Sequence, residues 1–102
     1  GKEAVNLYSK IHKANGTTLL ACCDEELAGT TIKGKEIEVT LKESFFKDKK
    51  TDEKQLAILL KKADTINLFG KKCVEIAKRK HFIKESDIIR IGTVPHVQIY
   101  KI

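Results

Sequence analysis

The chain has 102 residues, 41% of them apolar, and 20 Lys+Arg against 14 Asp+Glu give a formal charge of +6. That length gives room for one domain, residues 1–102, and the apolar share is that of a folded protein rather than a disordered one. No apolar run approaches the ~20 residues of a membrane-spanning helix and no signal pattern opens the chain, so a cytoplasmic protein with no membrane partner is expected.

The first half reads as strands. Residues from Ala4 to Ile11 alternate roughly apolar and polar, Asn15-Gly16 signals a turn, and Thr17 to Cys23 is a short apolar run. Together they predict a hairpin closed around Lys13-Ala14-Asn15-Gly16. Asp24-Glu25-Glu26 reads as an acidic solvated loop or single helical turn stopped by Gly29, rather than a metal or general-base site. Lys35 to Leu41 alternates cleanly, with Ile37, Val39 and Leu41 on one face, as a half-buried strand does.

The second half opens with helices. Thr51-Asp52-Glu53 places a capping residue and acids at a helix start, and Leu56, Leu59, Leu60 and Ala63 follow at helical spacing. Asp64 is expected to cap a second helix, with Ile66, Phe69, Cys73, Ile76 and Ala77 as its apolar stripe and Asn67 in its first turn. Asp87 to Ile91 reads as a strand broken by Gly92, and Val97 to Ile102 as the last strand. The predicted order is β-β-β-α-α-β-β: an α+β domain with a mainly antiparallel sheet of about five strands and a helical pair on one face.

Cys22, Cys23 and Cys73 are an odd set, and neighbours on a strand point to opposite faces, so they form no disulfide framework. Neither C-x₂-C nor H-x₃-H spacing links them to the three histidines. No metal or other cofactor is expected, and no catalytic grouping stands out; a Cys23–His96 nucleophile pair would need contacts that spacing does not supply.

Three blocks carry a family resemblance. They are Cys23-Asp24-Glu25-Glu26-Leu27-Ala28-Gly29-Thr30, Ala63-Asp64-Thr65-Ile66-Asn67-Leu68-Phe69-Gly70, and Ile89-Arg90-Ile91-Gly92-Thr93-Val94-Pro95-His96-Val97-Gln98. In this order they resemble the motif blocks of an archaeal family of small conserved proteins catalogued as domain of unknown function 424. The resemblance implies an archaeal cytoplasmic protein and brings no assigned activity. Where the family pattern implies an aromatic followed by paired glycines, this chain has Phe45-Phe46-Lys47-Asp48-Lys49-Lys50, a Lys-rich segment suited to a polyanion.

The last block is the expected working surface. Gly92 and Pro95 set a corner, and on the strand that follows His96, Gln98 and Tyr100 share one face. Arg90, His96 and Gln98 are the candidate contact residues, against a reading in which the block is only a structural corner. The basic excess leans to the second half: nine basic and eight acidic groups in residues 1–51, eleven and six in 52–102. Lys71, Lys72, Lys78, Arg79 and Lys80, with Lys47, Lys49 and Lys50, are candidates for tracking phosphates, which gives affinity without DNA sequence readout. A non-enzymatic module bound to structured RNA or the ribosome is expected. The alternative is a small-ligand or enzymatic site built from Arg90, His96 and Gln98, with Asp64 or Asn67 as optional members, and a homodimer through the edge of the last strand is compatible with either.

Overall fold

The N-terminal hairpin forms where alternation and turn chemistry place it. In the computed structural model, which describes residues 6–101, β1 (Leu7–Ala14) and β2 (Thr17–Asp24) pair antiparallel from Leu7↔Asp24 to Ala14↔Thr17. Asn15 and Gly16, both at positive φ, make the two-residue turn. Ala4 and Val5 of the expected first strand, and Ile102 of the expected last, lie outside the described residues.

One 3₁₀ turn, Glu25–Leu27, follows. The single strand expected from Lys35 to Leu41 is instead the second half of a small hairpin of β3 (Thr31–Lys33) and β4 (Glu38–Thr40), a separate two-stranded sheet. Ile37 sits outside the ladder and is 54% exposed, while Leu41 is buried. The Lys-rich segment then forms a single turn, α1 (Glu43–Phe46), and a short strand, β5 (Lys49–Thr51). Helix α2 (Glu53–Lys62) begins at the expected cap: Asp52 accepts from Gln55 N–H, and the Gln55 side chain accepts from Asp52 N–H.

The second helix starts later than its stripe suggests. Residues Thr65–Phe69 are a strand, β6, and the helix, α3 (Lys71–Arg79), begins only after Gly70. Ile66 and Phe69 fit a helical stripe by coincidence, since a segment of five residues is too short to separate the two periods. Gly70, at φ 118°, has a backbone no helix interior contains and sets the boundary. Asp64 therefore caps nothing; its carboxylate accepts from the Thr18 N–H at 2.8 Å and the Thr18 hydroxyl at 3.2 Å, tying the starts of β2 and β6. The chain ends with β7 (Ile89–Ile91) and β8 (Val94–Tyr100).

The main sheet has six strands in the order β5-β1-β2-β6-β8-β7. Every pairing is antiparallel except β2 with β6. Both α2 and α3 cover one face, where Leu7, Leu20, Cys22, Leu56, Leu60, Ile66, Leu68, Val74 and Val97 form the larger core. The opposite face is only partly covered, by α1 and the β3–β4 hairpin, around Ala21, Cys23, Ile32, Leu41, Phe46, Phe69 and Ile91. Thus α+β with the helical pair on one face holds, with six strands in the main sheet where about five were expected and a separate two-stranded sheet besides. The sheet is flanked by three-residue strands, β5 carrying the exposed Lys49 and Lys50 and β7 the exposed Arg90.

Two close approaches lock these layers. Asp24, 2% exposed at the end of β2, accepts from the backbone N–H groups of Lys72 (2.9 Å) and Cys73 (3.0 Å) in the first turn of α3. It is a cap delivered from another strand, not a solvated loop residue. Burial pushes its carboxyl above the ordinary 3.8, against the downward pull of those two amides. A Cβ on Gly70 would lie 2.4 Å from the Asp24 carboxyl carbon. At the β7–β8 turn, a Cβ on Gly92 would lie 2.6 Å from the Lys33 carbonyl oxygen, so this glycine seats the small hairpin on the main sheet.

Asp24→Ala strips two buried amides of their acceptor and is expected to cost about 2–3 kcal/mol in urea denaturation. Gly70→Ala adds a strained φ and a clash with the same carboxylate, and is expected to cost about 2 kcal/mol or more. The clash disappears with the carboxylate, so the double variant should be less destabilised than the sum of the two. Additive costs would show that the two sites do not press on each other.

Candidate functional site

The open part of the sheet is the face away from α2 and α3. Cross-strand pairing sets its side chains in rows. One row reads Ile89, His96, Phe69, Cys23 and Tyr8 across β7, β8, β6, β2 and β1; the next reads Gln98, Asn67, Ala21 and Lys10; a third reads Tyr100, Thr65, Leu19 and His12. Over the first two rows stands the wall made by β4 and α1. Between wall and sheet lies a groove of about 500 Å³, with Ile37, Val39, Phe45 and Phe46 above and Asn67, Phe69, His96 and Gln98 below.

The groove is lined with rings in series. His12 stacks on Phe45 with centroids 4.3 Å apart, Phe45 meets Phe46 edge-on at 5.1 Å, Phe46 meets Phe69 at 5.7 Å, and Phe69 stacks on His96 at 3.8 Å. The His12 ring is also fixed by a 2.9 Å bond from Nε2 to the Phe45 carbonyl. Offset and edge-on pairs of this kind add about 0.5–1.5 kcal/mol each to area burial.

Its polar groups are few and specific. His96 is 8% exposed, and its Nδ1 lies 2.8 Å from the Leu68 carbonyl oxygen. A carbonyl can only accept, so Nδ1 carries the proton and Nε2 is left with a bare lone pair. Burial lowers the pKa of His96 below the ordinary 6.5, against the opposing effect of that hydrogen bond, so the ring is neutral. The side-chain oxygen of Asn67 is buried with no hydrogen-bond partner. Gln98 is exposed and donates from Nε2 to the Tyr100 hydroxyl at 2.7 Å.

Arg90 is not part of this groove. It pairs with Pro95, while Ile89 pairs with His96, so Arg90 projects to the helix-covered side. There it lines a second concavity of about 640 Å³ with Lys71, Lys72 and Lys78, alongside Asp52, Glu53, Glu75 and Glu85. One pocket made of Arg90, His96 and Gln98 is therefore ruled out by the register; His96 and Gln98 come together with Asn67 instead. Sequence reasoning held Asn67 only as an optional member of that site, because it read β6 as a helix with Asn67 in its first turn. The parity of Asn67 and Phe69 against Ile66 and Leu68 is the signal that would have found it.

The basic candidates are mostly paired. Arg79 holds Glu53 through two bonds of 2.7 and 2.8 Å, with Lys80 at 3.4 Å, and together they hold the Glu53 carboxyl down to about 2. Lys78 meets Glu85, Lys72 meets Glu26, Lys47 meets Glu43 and Lys50 meets Glu25 at 3.1–3.7 Å. Lys47 and Lys50 also lie over the Tyr8 ring. Lys49, Lys71 and Arg90 are exposed and have no ion pair among the described residues. The first turn of α3, beside Lys71 and Lys72, is already filled by the Asp24 carboxylate and is no vacant anion site.

The cysteines are buried and free. Cys23 and His96 share a row but Phe69 stands between them, two strand spacings or roughly 10 Å across. Burial, helped by the neighbouring Cys22 and acids, pushes the Cys23 thiol up to about 12, the opposite of an activated nucleophile. Among the described residues no cluster of His, Cys, Asp and Glu could hold a metal ion, and no helix is long and apolar enough to cross a membrane.

Fold and groove together define a small α+β domain with a partly roofed sheet and an aromatic-lined cleft. A family model described as "Protein of unknown function (DUF424)" matches residues 12–102, and the chain belongs to that family. Among solved structures it is similar to the crystal structure of an uncharacterized conserved protein from Methanopyrus kandleri. The TM-score is 0.80 at 26% identity, covering 93% of this chain and 90% of that one. No curated protein matches.

Because the folded state holds His96 neutral while the unfolded chain protonates it near 6.5, its contribution to stability is complete above that pH and is lost as pH falls through the lower folded-state value. The urea midpoint is expected to drop as the pH falls below about 6.5. His96→Gln should flatten that part of the profile; an unchanged slope in the variant would show that another group is responsible.

Proposed function

We propose that the chain is a non-enzymatic binding module that docks on structured RNA, free or within a ribonucleoprotein such as the ribosome, by phosphate contacts. The supporting observation is how the carboxylates are used. Asp24, buried, and Asp52, Asp64 and Asp87, at the surface, each accept from backbone N–H groups, of Lys72 and Cys73, Gln55, Thr18 and Lys84 respectively. The other surface acids are mainly glutamates in ion pairs, so the formal +6 is carried by solvent-facing lysines and by Arg90.

On this reading Lys71 and Arg90, on the rim of the helix-side concavity, make the first contacts. Lys72, Lys78, Arg79 and Lys80 around it, and Lys47, Lys49 and Lys50 on the β5 side, add to the field. Their ion pairs do not oppose this, since exposed pairs are worth about 0–1 kcal/mol and a phosphate can replace a glutamate. Such contacts track shape and backbone, as recognition of folded RNA does.

Filter binding to ribosomal RNA across a salt series tests the proposal. Affinity is expected to fall steeply with salt, and Lys71→Gln with Arg90→Gln should reduce the log–log slope by roughly 1.5 while leaving stability unchanged. Absence of binding at about 50 mM salt, or a slope untouched by the double variant, would overturn it.

A further inference from the structure

The groove on the open face has a chemistry of its own. We propose that it is a binding site for a nucleobase: a flat, neutral ring carrying N–H donors, held between the phenylalanine wall and the His96–Asn67 floor. This does not rest on phosphate docking, because Lys71 and Arg90 lie on the other side of the sheet.

Three features select that ligand. The one buried polar atom of the groove without a partner is an acceptor, the Asn67 Oδ1, and beside it the His96 Nε2, whose sister nitrogen is committed to Leu68, is a second acceptor. An unsatisfied buried acceptor is costly to keep, and a donor brought by a ligand removes the cost. Cross-strand pairing sets Asn67 opposite Gln98 and Phe69 opposite His96, so Asn67 and His96 are diagonal neighbours within reach of two edges of one ring.

The walls are flat and apolar. Phe45, half-buried, is the ring open to a ligand, backed by the buried Phe46 and Phe69, and Ile37 (54% exposed) and Ile89 (58%) stand at the groove's sides. Base–aromatic contact is sequence-tolerant and worth about 1–3 kcal/mol per base in other proteins. No carboxylate lines the groove, so nothing compensates a cationic ligand such as an arginine or amine. Its one charged side chain is Lys42, suited to the phosphate that a nucleotide carries beyond its base. A volume of about 500 Å³ lies within the range of small-ligand sites.

The test is a titration of the isotopically labelled protein with adenosine, guanosine, cytidine and uridine 5′-monophosphates, followed by NMR. The first three carry exocyclic amines and are expected to shift the Asn67 side-chain amide and the His96 ring; uridine monophosphate, without one, should bind several-fold more weakly. Asn67→Leu removes the orphaned acceptor, and two results are expected together: affinity falls by about tenfold or more, and Tm rises. A structural role for Asn67 would lower Tm instead. Ile89→Asp, at an exposed position, is the second variant and should abolish binding without unfolding the protein. Comparing each mononucleotide with a single-stranded tetranucleotide of the same base tells a free nucleotide from a base presented by RNA. Absence of groove shifts with all four monophosphates and their tetranucleotides at millimolar concentration, or binding that survives both variants, would overturn the site.

Discussion

The carboxylate of Asp24 holds the architecture at its centre. It closes the end of β2, replaces the missing capping side chain of α3, and occupies the space where Gly70 would otherwise carry a Cβ. Through it the central parallel pair β2–β6 and the helix that follows β6 become one unit. That in turn fixes which side chains of β6 face the helices and which face the open groove. Its setting is electrostatically divided: burial disfavours the charge, while two amides at the positive end of a helix favour it.

From this clamp the two faces diverge in character. The helix side is closed by aliphatic packing and fringed by ion pairs, with Arg79 and Lys80 on Glu53 joining the end of α3 to the start of α2. The other side is only half roofed, and its roof is seated by a backbone contact, the Lys33 carbonyl against Gly92. The family-specific block from Gly92 to Gln98 is thus shared between two duties. Gly92 and Pro95 build the fold, with the Pro95 carbonyl accepting from Gly70 N–H at 2.9 Å. His96 and Gln98 face the groove.

What was legible in the sequence was whatever local chemistry determines. The Asn15-Gly16 hairpin and the Asp52–Gln55 capping box are such cases, because turn geometry and cap hydrogen bonds involve only residues a few positions apart. The strands β3, β5 and β7 have three residues each, and β3 and β5 were not foreseen; so short a segment is a strand only because a partner pairs with it, β4 across a local turn for β3 and the distant β1 for β5. The strand β6 was lost to a periodicity that five residues cannot resolve. Of the site, His96 and Gln98 were found from their shared strand face. Arg90 went astray because its side depends on the register across the β7–β8 turn, and Asn67 stayed an optional member because its strand was read as a helix.

The short flanking strands bear on how the protein behaves in a crowded solution. A long bare sheet edge is a template for another chain, and here β5 and β7 offer three residues each, with Lys49, Lys50 and Arg90 turned outward. Beyond β7 the last strand stays paired with β6 but has no partner on its outer edge among the described residues. There Lys101 directs its N–H to the Asp64 carbonyl on the β6 side, and the alternate residues Gln98 and Tyr100 face away. Two residues make a poor template for aggregation. The sheet remains open on its face while its margins resist uncontrolled growth.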